Sequence, residues 1–171
     1  MGNQSRDERL RVKAVYPGSF DPVTKGHLDI IQRAAPTLHK LVVAVADNPS
    51  KKQCFSIAER VHFLREVTRD IPNVEVDSFE TLLVDYVRSK NIRVIIRGLR
   101  AVTDFEMEFQ MALINKSLLP EAETIFLVTS TEYSFLSSSI IKEVAQYGGD
   151  VTHFVHPMVA DGLYGKFGIK R

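Results

Sequence analysis

The stretch VKAVYPGSFDPVTKGHLDIIQRAAP, residues 12–36, decides the fold. Val12–Tyr16 is a short apolar run of the kind that forms a buried strand, and helical period sets in at about residues 25–36. The turn between them carries Gly18, Pro17 and Pro22, Asp21, Gly26 and a lone His27. The same order of apolar run, turn and helical period recurs down the chain. Further strands are predicted at Leu41–Ala46, Val74–Val76, Val94–Arg97 and Ile125–Val128. Helices are predicted at about 56–69, 80–90, 103–117 and 137–147.

Strands alternating with helices argue for an α/β protein with a parallel sheet. The runs are continuously apolar, as strands buried on both faces are. The expectation is a single Rossmann-like domain over residues 11–171, a five-stranded parallel sheet with helices on both faces, behind a flexible leader at 1–10. With 171 residues, 44% apolar and 25% charged, the chain has the size and composition of one soluble globular domain. A formal charge of +1 argues against coating nucleic acid or a membrane surface. Cys54 is the only cysteine, so no internal disulfide forms. The first eleven residues are polar, without the apolar stretch of a signal peptide, and a cytoplasmic location is expected.

Such a sheet binds ligands beyond the carboxyl ends of its strands. Unusual residues fall there: Gly18 to His27 after the first strand, Pro49 to Lys52 after the second, Arg97 to Arg100 after the fourth and Ser134 to Ser139 after the fifth. Gly18 lets an anion approach the backbone, and Thr24 can cap the helix, which sets His27 in the first turn among unpaired amides. An imidazole there either packs and caps or adds a hydrogen bond to a bound anion. Lys51 and Lys52 are either a solvated pair or phosphate ligands, and Arg97 and Arg100 either surface ion pairs or forks for phosphate oxygens. Ser137, Ser138 and Ser139 either cap a helix or offer hydroxyls to a polyphosphate. No G-x-G-x-x-G is present, so a dinucleotide site of the usual type is not expected. His39, His62, His153 and His156 lack metal-ligand spacing, and one cysteine cannot build a thiolate zinc site. Helix 103–117 has two opposed apolar stripes, Phe105, Phe109, Ala112 and Leu113 against Met107, Met111 and Ile114. Either one stripe packs on the sheet and the other on a second subunit, or the helix is buried within one chain.

Thr24-Lys25-Gly26-His27 resembles the T/H-x-G-H signature of the nucleotidyltransferase superfamily. Four stretches, YPGSFDPVTKGH, NPSKK, IRGLRAVTDFEMEFQMA and STEYSFLSSSIIKEVA, are more closely similar to the bacterial phosphopantetheine adenylyltransferases, and the likeness runs from about residue 12 to 160. That resemblance implies adenylyl transfer from ATP to 4′-phosphopantetheine, giving dephospho-coenzyme A and pyrophosphate. It implies His27 as the catalytic residue, Mg²⁺ as cofactor and a homohexamer. ATP contacts are implied at Ser19, Phe20, His27, Gly98, Leu99, Arg100, Glu108, Tyr133, Ser134, Phe135, Leu136, Ser137, Ser138 and Ser139. Acceptor contacts are implied at Ser19, Lys51, Leu83 and Arg97. Ser19 stands where many relatives have threonine, and the hydroxyl is kept. Two other readings stay open: a sister transferase acting on nicotinamide mononucleotide, and a nucleotide-binding regulator without turnover.

Overall fold

The computed structural model describes residues 12–47 and 52–170. The expected leader and Lys51 lie outside the described residues. In chain order the elements are β1 (Lys13–Gly18), α1 (Lys25–Ala34), β2 (Lys40–Ala46), α2 (Ile57–Thr68), β3 (Val74–Phe79) and α3 (Leu83–Ser89). They continue as β4 (Val94–Leu99), α4 (Val102–Leu118), β5 (Glu123–Val128), α5 (Ser138–Gln146) and α6 (Pro157–Phe167). The five strands form one parallel sheet in the order β3-β2-β1-β4-β5. The chain winds outward from β1 in one direction and then from β4 in the other, so β1 and β4 flank the point where a ligand crevice opens.

Alternation along the strands divides the core. Ala14, Tyr16, Leu41, Val43 and Val45 face α1, α2, α5 and α6, while Val15, Val42, Ala44 and Ile95 face α3 and the end of α4. Pairing between β1 and β4 covers only Ala14–Val94 and Val15–Ile95, whereas β1 and β2 pair from Lys13–Lys40 to Gly18–Val45. The two central strands therefore part towards their carboxyl ends. Pro17, which has no N–H to give, sits where that ladder has already stopped. This is why β1 runs to Gly18 although its sequence reads as a strand only to Tyr16.

Two expectations need correction. Helix α6 has no counterpart among the predicted helices. Its sequence carries Gly162 and Gly165 in eleven residues, which lowers helix propensity. The glycines are tolerated because packing requires one of them: a Cβ at Gly162 would lie 2.8 Å from the Phe63 ring. Pro157 in the first turn and Gly168, at φ 68°, bound the helix. Secondly, neither stripe of α4 is buried within the chain. Phe105, Phe109 and Leu113 are 42–55% exposed, and Met107, Met111 and Ile114 are 51–73% exposed. The helix lies along β4 and β5 at that edge of the sheet and also touches α3, and its contacts with the sheet include Phe105 on Phe126, 6.0 Å between ring centroids. No helix among the described residues is long and apolar enough to cross a membrane.

Candidate active site

Where β1 and β4 part, a cavity of about 380 Å³ opens at their carboxyl ends. Its wall draws on three of the four loops that the sequence set apart, through Gly18 to Phe20 and Thr24 to His27, Arg97 to Arg100, and Leu136 to Ser139, together with Tyr16 and Pro17 of β1. Of the fourth loop, Pro49 to Lys51 lie outside the described residues and Lys52 is not in the wall. Helix α4 adds Asp104, Met107 and Glu108, and Thr129 follows β5. Among the described residues no buried side-chain nitrogen or oxygen lacks a hydrogen-bond partner.

His27 is held by its own helix start. The Thr24 N–H donates to His27 Nδ1 at 3.0 Å, and the His27 N–H donates to Thr24 Oγ1 at 3.4 Å, a reciprocal cap in which histidine takes the place usually filled by glutamate. Because Nδ1 accepts that bond, the proton of the neutral ring lies on Nε2 and is available as a donor. The Phe20 ring packs edge-on against the imidazole, 5.1 Å between centroids, and fixes its tilt. Phe20 itself is buried at φ 46°, an unusual backbone for a residue with a side chain. That turn also explains Gly18: a Cβ there would lie 3.0 Å from the Phe20 ring.

Burial lowers the His27 pKa to about 4, and the positive charges of Arg100 and Arg97 push in the same direction. A neutral Nε2–H donor is thus present throughout the neutral range. Between the ordinary value of 6.5 and about 4, the unfolded chain takes up a proton that the folded chain refuses, so stability falls as pH drops through that window. An NMR titration of the unliganded protein should show no His27 inflection between about pH 8 and 5.5, given an unperturbed histidine value near 6.5. An inflection near 6.5 would contradict the neutral assignment.

The two arginines are occupied by carboxylates from α4. Arg97 grips Glu108 through both Nε, at 2.6 Å, and Nη2, and its Nη1 donates to the Pro17 carbonyl at 2.6 Å across the gap where β1 and β4 have separated. Arg100 holds Asp104 through Nε at 3.0 Å and Nη2 at 3.2 Å, and its Nη1 donates to the Leu136 carbonyl at 2.7 Å. These forks meet the site's carboxylates in the geometry that also suits phosphate oxygens. Gly98 between them cannot carry a side chain without crowding, since a Cβ would lie 3.2 Å from Ile30 Cγ1 and 3.4 Å from Tyr16 Oη.

Long-range bonds draw the loops together. Asp29 of α1 accepts from the Ser130 N–H at 3.0 Å and the Ser130 hydroxyl at 2.6 Å, fixing the exit of β5. Ser138 Oγ donates to the Pro22 carbonyl at 2.7 Å, and Ser137 caps α5 by accepting from the Ile140 N–H at 3.1 Å. Asp21 accepts from the amides of Cys54 and Phe55 and from Lys142 Nζ at 2.8 Å. Burial raises the Asp21 carboxyl pKa, but the bonds from Lys142, Cys54 and Phe55 outweigh it and hold it below the ordinary range.

Of the residues the sequence singled out, Ser19, Phe20, His27, Arg97, Gly98, Arg100, Glu108, Leu136, Ser137, Ser138 and Ser139 line the cavity. Leu99, Tyr133, Ser134 and Phe135 belong to the same loops but not to its wall, and Leu83 begins α3 and packs against the opposite core. Lys51 lies outside the described residues. Asp104, Met107 and Thr129 were not anticipated. The first two share a face with Glu108 at the i, i+3, i+4 spacing, so the helical period holds the signal for them. Thr129 carries no local signal. No three His, Cys, Asp or Glu side chains among the described residues converge as a metal site.

The family model and the sequence relatives agree on one group. The cytidylyltransferase-like family model matches residues 15–144. A phosphopantetheine adenylyltransferase of Dictyoglomus thermophilum is 57% identical over 93% of this chain and 97% of its own. One from Caldanaerobacter subterraneus subsp. tengcongensis is 60% identical over 90% of this chain and 96% of its own. Among solved structures, a putative nicotinate-nucleotide adenylyltransferase of Vibrio parahaemolyticus superposes with a TM-score of 0.71 at 13% identity, covering 95% of this chain and 98% of its own. That likeness concerns the fold alone.

Proposed function

The chain belongs to the phosphopantetheine adenylyltransferase family, within the cytidylyltransferase-like proteins, and on that premise we propose that it transfers the adenylyl group of ATP to 4′-phosphopantetheine. A phosphate oxygen of the acceptor attacks the α-phosphorus of ATP, the bond from that phosphorus to the β-phosphate bridging oxygen breaks, and pyrophosphate leaves with dephospho-coenzyme A as the other product. The observation that carries this reading is the convergence of His27, Arg97, Arg100 and the serine-rich start of α5 on one cavity.

The chemistry asks little of acid–base groups. The nucleophile is a phosphate monoester whose second pKa near ~6 leaves it mostly dianionic at neutral pH. Positioning and charge stabilisation remain. His27, with its proton on Nε2, donates to the α-phosphate as negative charge builds there. Arg97 and the Ser19 hydroxyl hold the incoming phosphate, aided by Lys51, and the backbone near Leu83 meets the pantetheine arm. Ser137 to Ser139 and the amides opening α5 receive the triphosphate. Arg100 and Glu108, with Gly98, Leu99, Phe20 and Tyr133 to Leu136, complete the ATP side. ATP would be used as MgATP, whose Mg²⁺ would neutralise charge on the triphosphate and on the leaving pyrophosphate. The proposed setting is the cytoplasm, in coenzyme A biosynthesis.

The test is pyrophosphate release from MgATP with phosphopantetheine, nicotinamide mononucleotide or no acceptor, with products identified by mass. Release with phosphopantetheine alone supports the reading. Faster turnover of the mononucleotide would move the chain to the sister reaction, and no release from any mixture would favour a non-catalytic regulator.

Assembly as a homohexamer is part of the same proposal, supported by the exposed apolar residues of α4. Met111→Glu is expected to shift the sedimentation coefficient from oligomer towards monomer. Wild-type protein that sediments as a monomer at micromolar concentration would exclude the assembly.

A further inference from the structure

Arg60, on α2, is the largest wholly buried side chain among the described residues, with 0% of its surface exposed. A guanidinium has five N–H groups and no freedom to neutralise itself. Here every direction is met. Nη1 donates to the Ser19 carbonyl at 2.9 Å and towards the Ala46 carbonyl at 3.4 Å. Nη2 donates to Gln53 Oε1 at 2.6 Å and towards Asp47 Oδ1 at 3.4 Å, and Nε reaches the Ser56 carbonyl at 3.4 Å. Gln53 Nε2 donates in turn to Asp47 Oδ1 at 3.1 Å, closing a ring of three side chains.

The residues gripped are telling. Ser19 is the first residue after β1 and lines the cavity, while Ala46 ends β2 and Asp47 follows it. Gln53 and Ser56 lead into α2. One buried cation thus joins the carboxyl ends of two neighbouring strands, at the rim where the site lies. The core would hold an apolar side chain here at lower desolvation cost, so burial of a charge needs another account.

The Ser19 carbonyl turns inward to Arg60, and in a trans peptide the following N–H points the opposite way. That N–H belongs to Phe20, whose backbone is in the left-handed region at φ 46°. We propose that Arg60 is a positioning residue for adenylyl transfer, one that sets the Ser19–Phe20 peptide so that its N–H faces the cavity as an anion donor. Its grip on Asp47 and Gln53 keeps the neighbouring β2 exit in register with that peptide. Arg60 touches no substrate itself, because its donors are all committed inward. The inference rests on the adenylyltransferase reading above.

Arg60→Lys keeps the charge but cannot span the same acceptors. Assayed well below its melting midpoint, with a circular dichroism spectrum equal to that of wild type, it is expected to lose about ten- to hundred-fold in kcat, the scale of a small misplacement, with ATP KM within about three-fold. A folded Arg60→Lys protein with wild-type kcat would overturn the proposal. If that variant does not fold, Gln53→Ala removes the shortest contact at a partly exposed position. An unchanged melting midpoint with kcat lowered about three- to ten-fold supports the proposal, and wild-type kcat overturns it. Wild-type enzyme is run beside both. Its failure to release pyrophosphate would sink the reading of function, whereas a working wild type with an equally active variant sinks only the role of Arg60.

Discussion

His27→Ala is expected to lower kcat by about 10²–10³-fold while ATP affinity changes little, the loss typical of one preorganised donor to a developing oxyanion. The structure gives this expectation its direction. Nδ1 is committed to the Thr24 N–H, so Nε2–H is the ring's one outward donor. Its pKa near 4 keeps the imidazole neutral, so the donor is there before ATP arrives and needs no proton uptake. Ground-state binding of a triphosphate draws on many other groups, including Arg100 and the start of α5. The variant should therefore separate kcat from ATP binding, measured together by steady-state kinetics and calorimetry. A kcat within a few-fold of wild type would remove His27 from the mechanism. For the wild-type enzyme, the acid limb of the rate profile should follow the acceptor phosphate near ~6 and not the histidine.

Arg97→Ala is expected to raise the phosphopantetheine KM roughly ten-fold or more, since hydrogen bonds to charged groups contribute about 1.5–3 kcal/mol each. Removing the guanidinium also leaves Glu108 without its fork partner at the cavity wall, which adds repulsion for any incoming anion. The ATP KM should move far less. Arg97→Lys should not restore the acceptor KM, because an ammonium cannot hold Glu108 and the Pro17 carbonyl at the same time. Lys51→Ala is expected to act in the same sense. Equal rises in both KM values for Arg97→Ala would place that residue on the nucleotide and leave the acceptor phosphate to other groups.

What could be read along the chain was whatever near neighbours decide. Strand, turn and helix follow from the alternation and period of apolar residues, and the start of α1 follows from Thr24 and His27 three residues apart. The converging loops follow because parallel strands bring their carboxyl ends to one rim. The pair of arginines about Gly98 was visible too, as a pattern open either to ion pairing or to phosphate, and the fold supplies Glu108 and Asp104 as their partners. Helix α6 was not, since its glycines argue against a helix until Phe63 is known to lie against Gly162. Nor was the solvent exposure of both α4 stripes, because composition shows that a face is apolar and not what covers it. The tautomer and charge of His27 needed the burial around it and two cations 70 and more residues away in sequence. Arg60 and Asp21 look like ordinary charged residues until the fold brings Ser19 to one, 41 positions away, and Lys142 to the other, 121 positions away. A charge's role depends on the dielectric and the partners around it, and both are set by chain segments that periodicity cannot join.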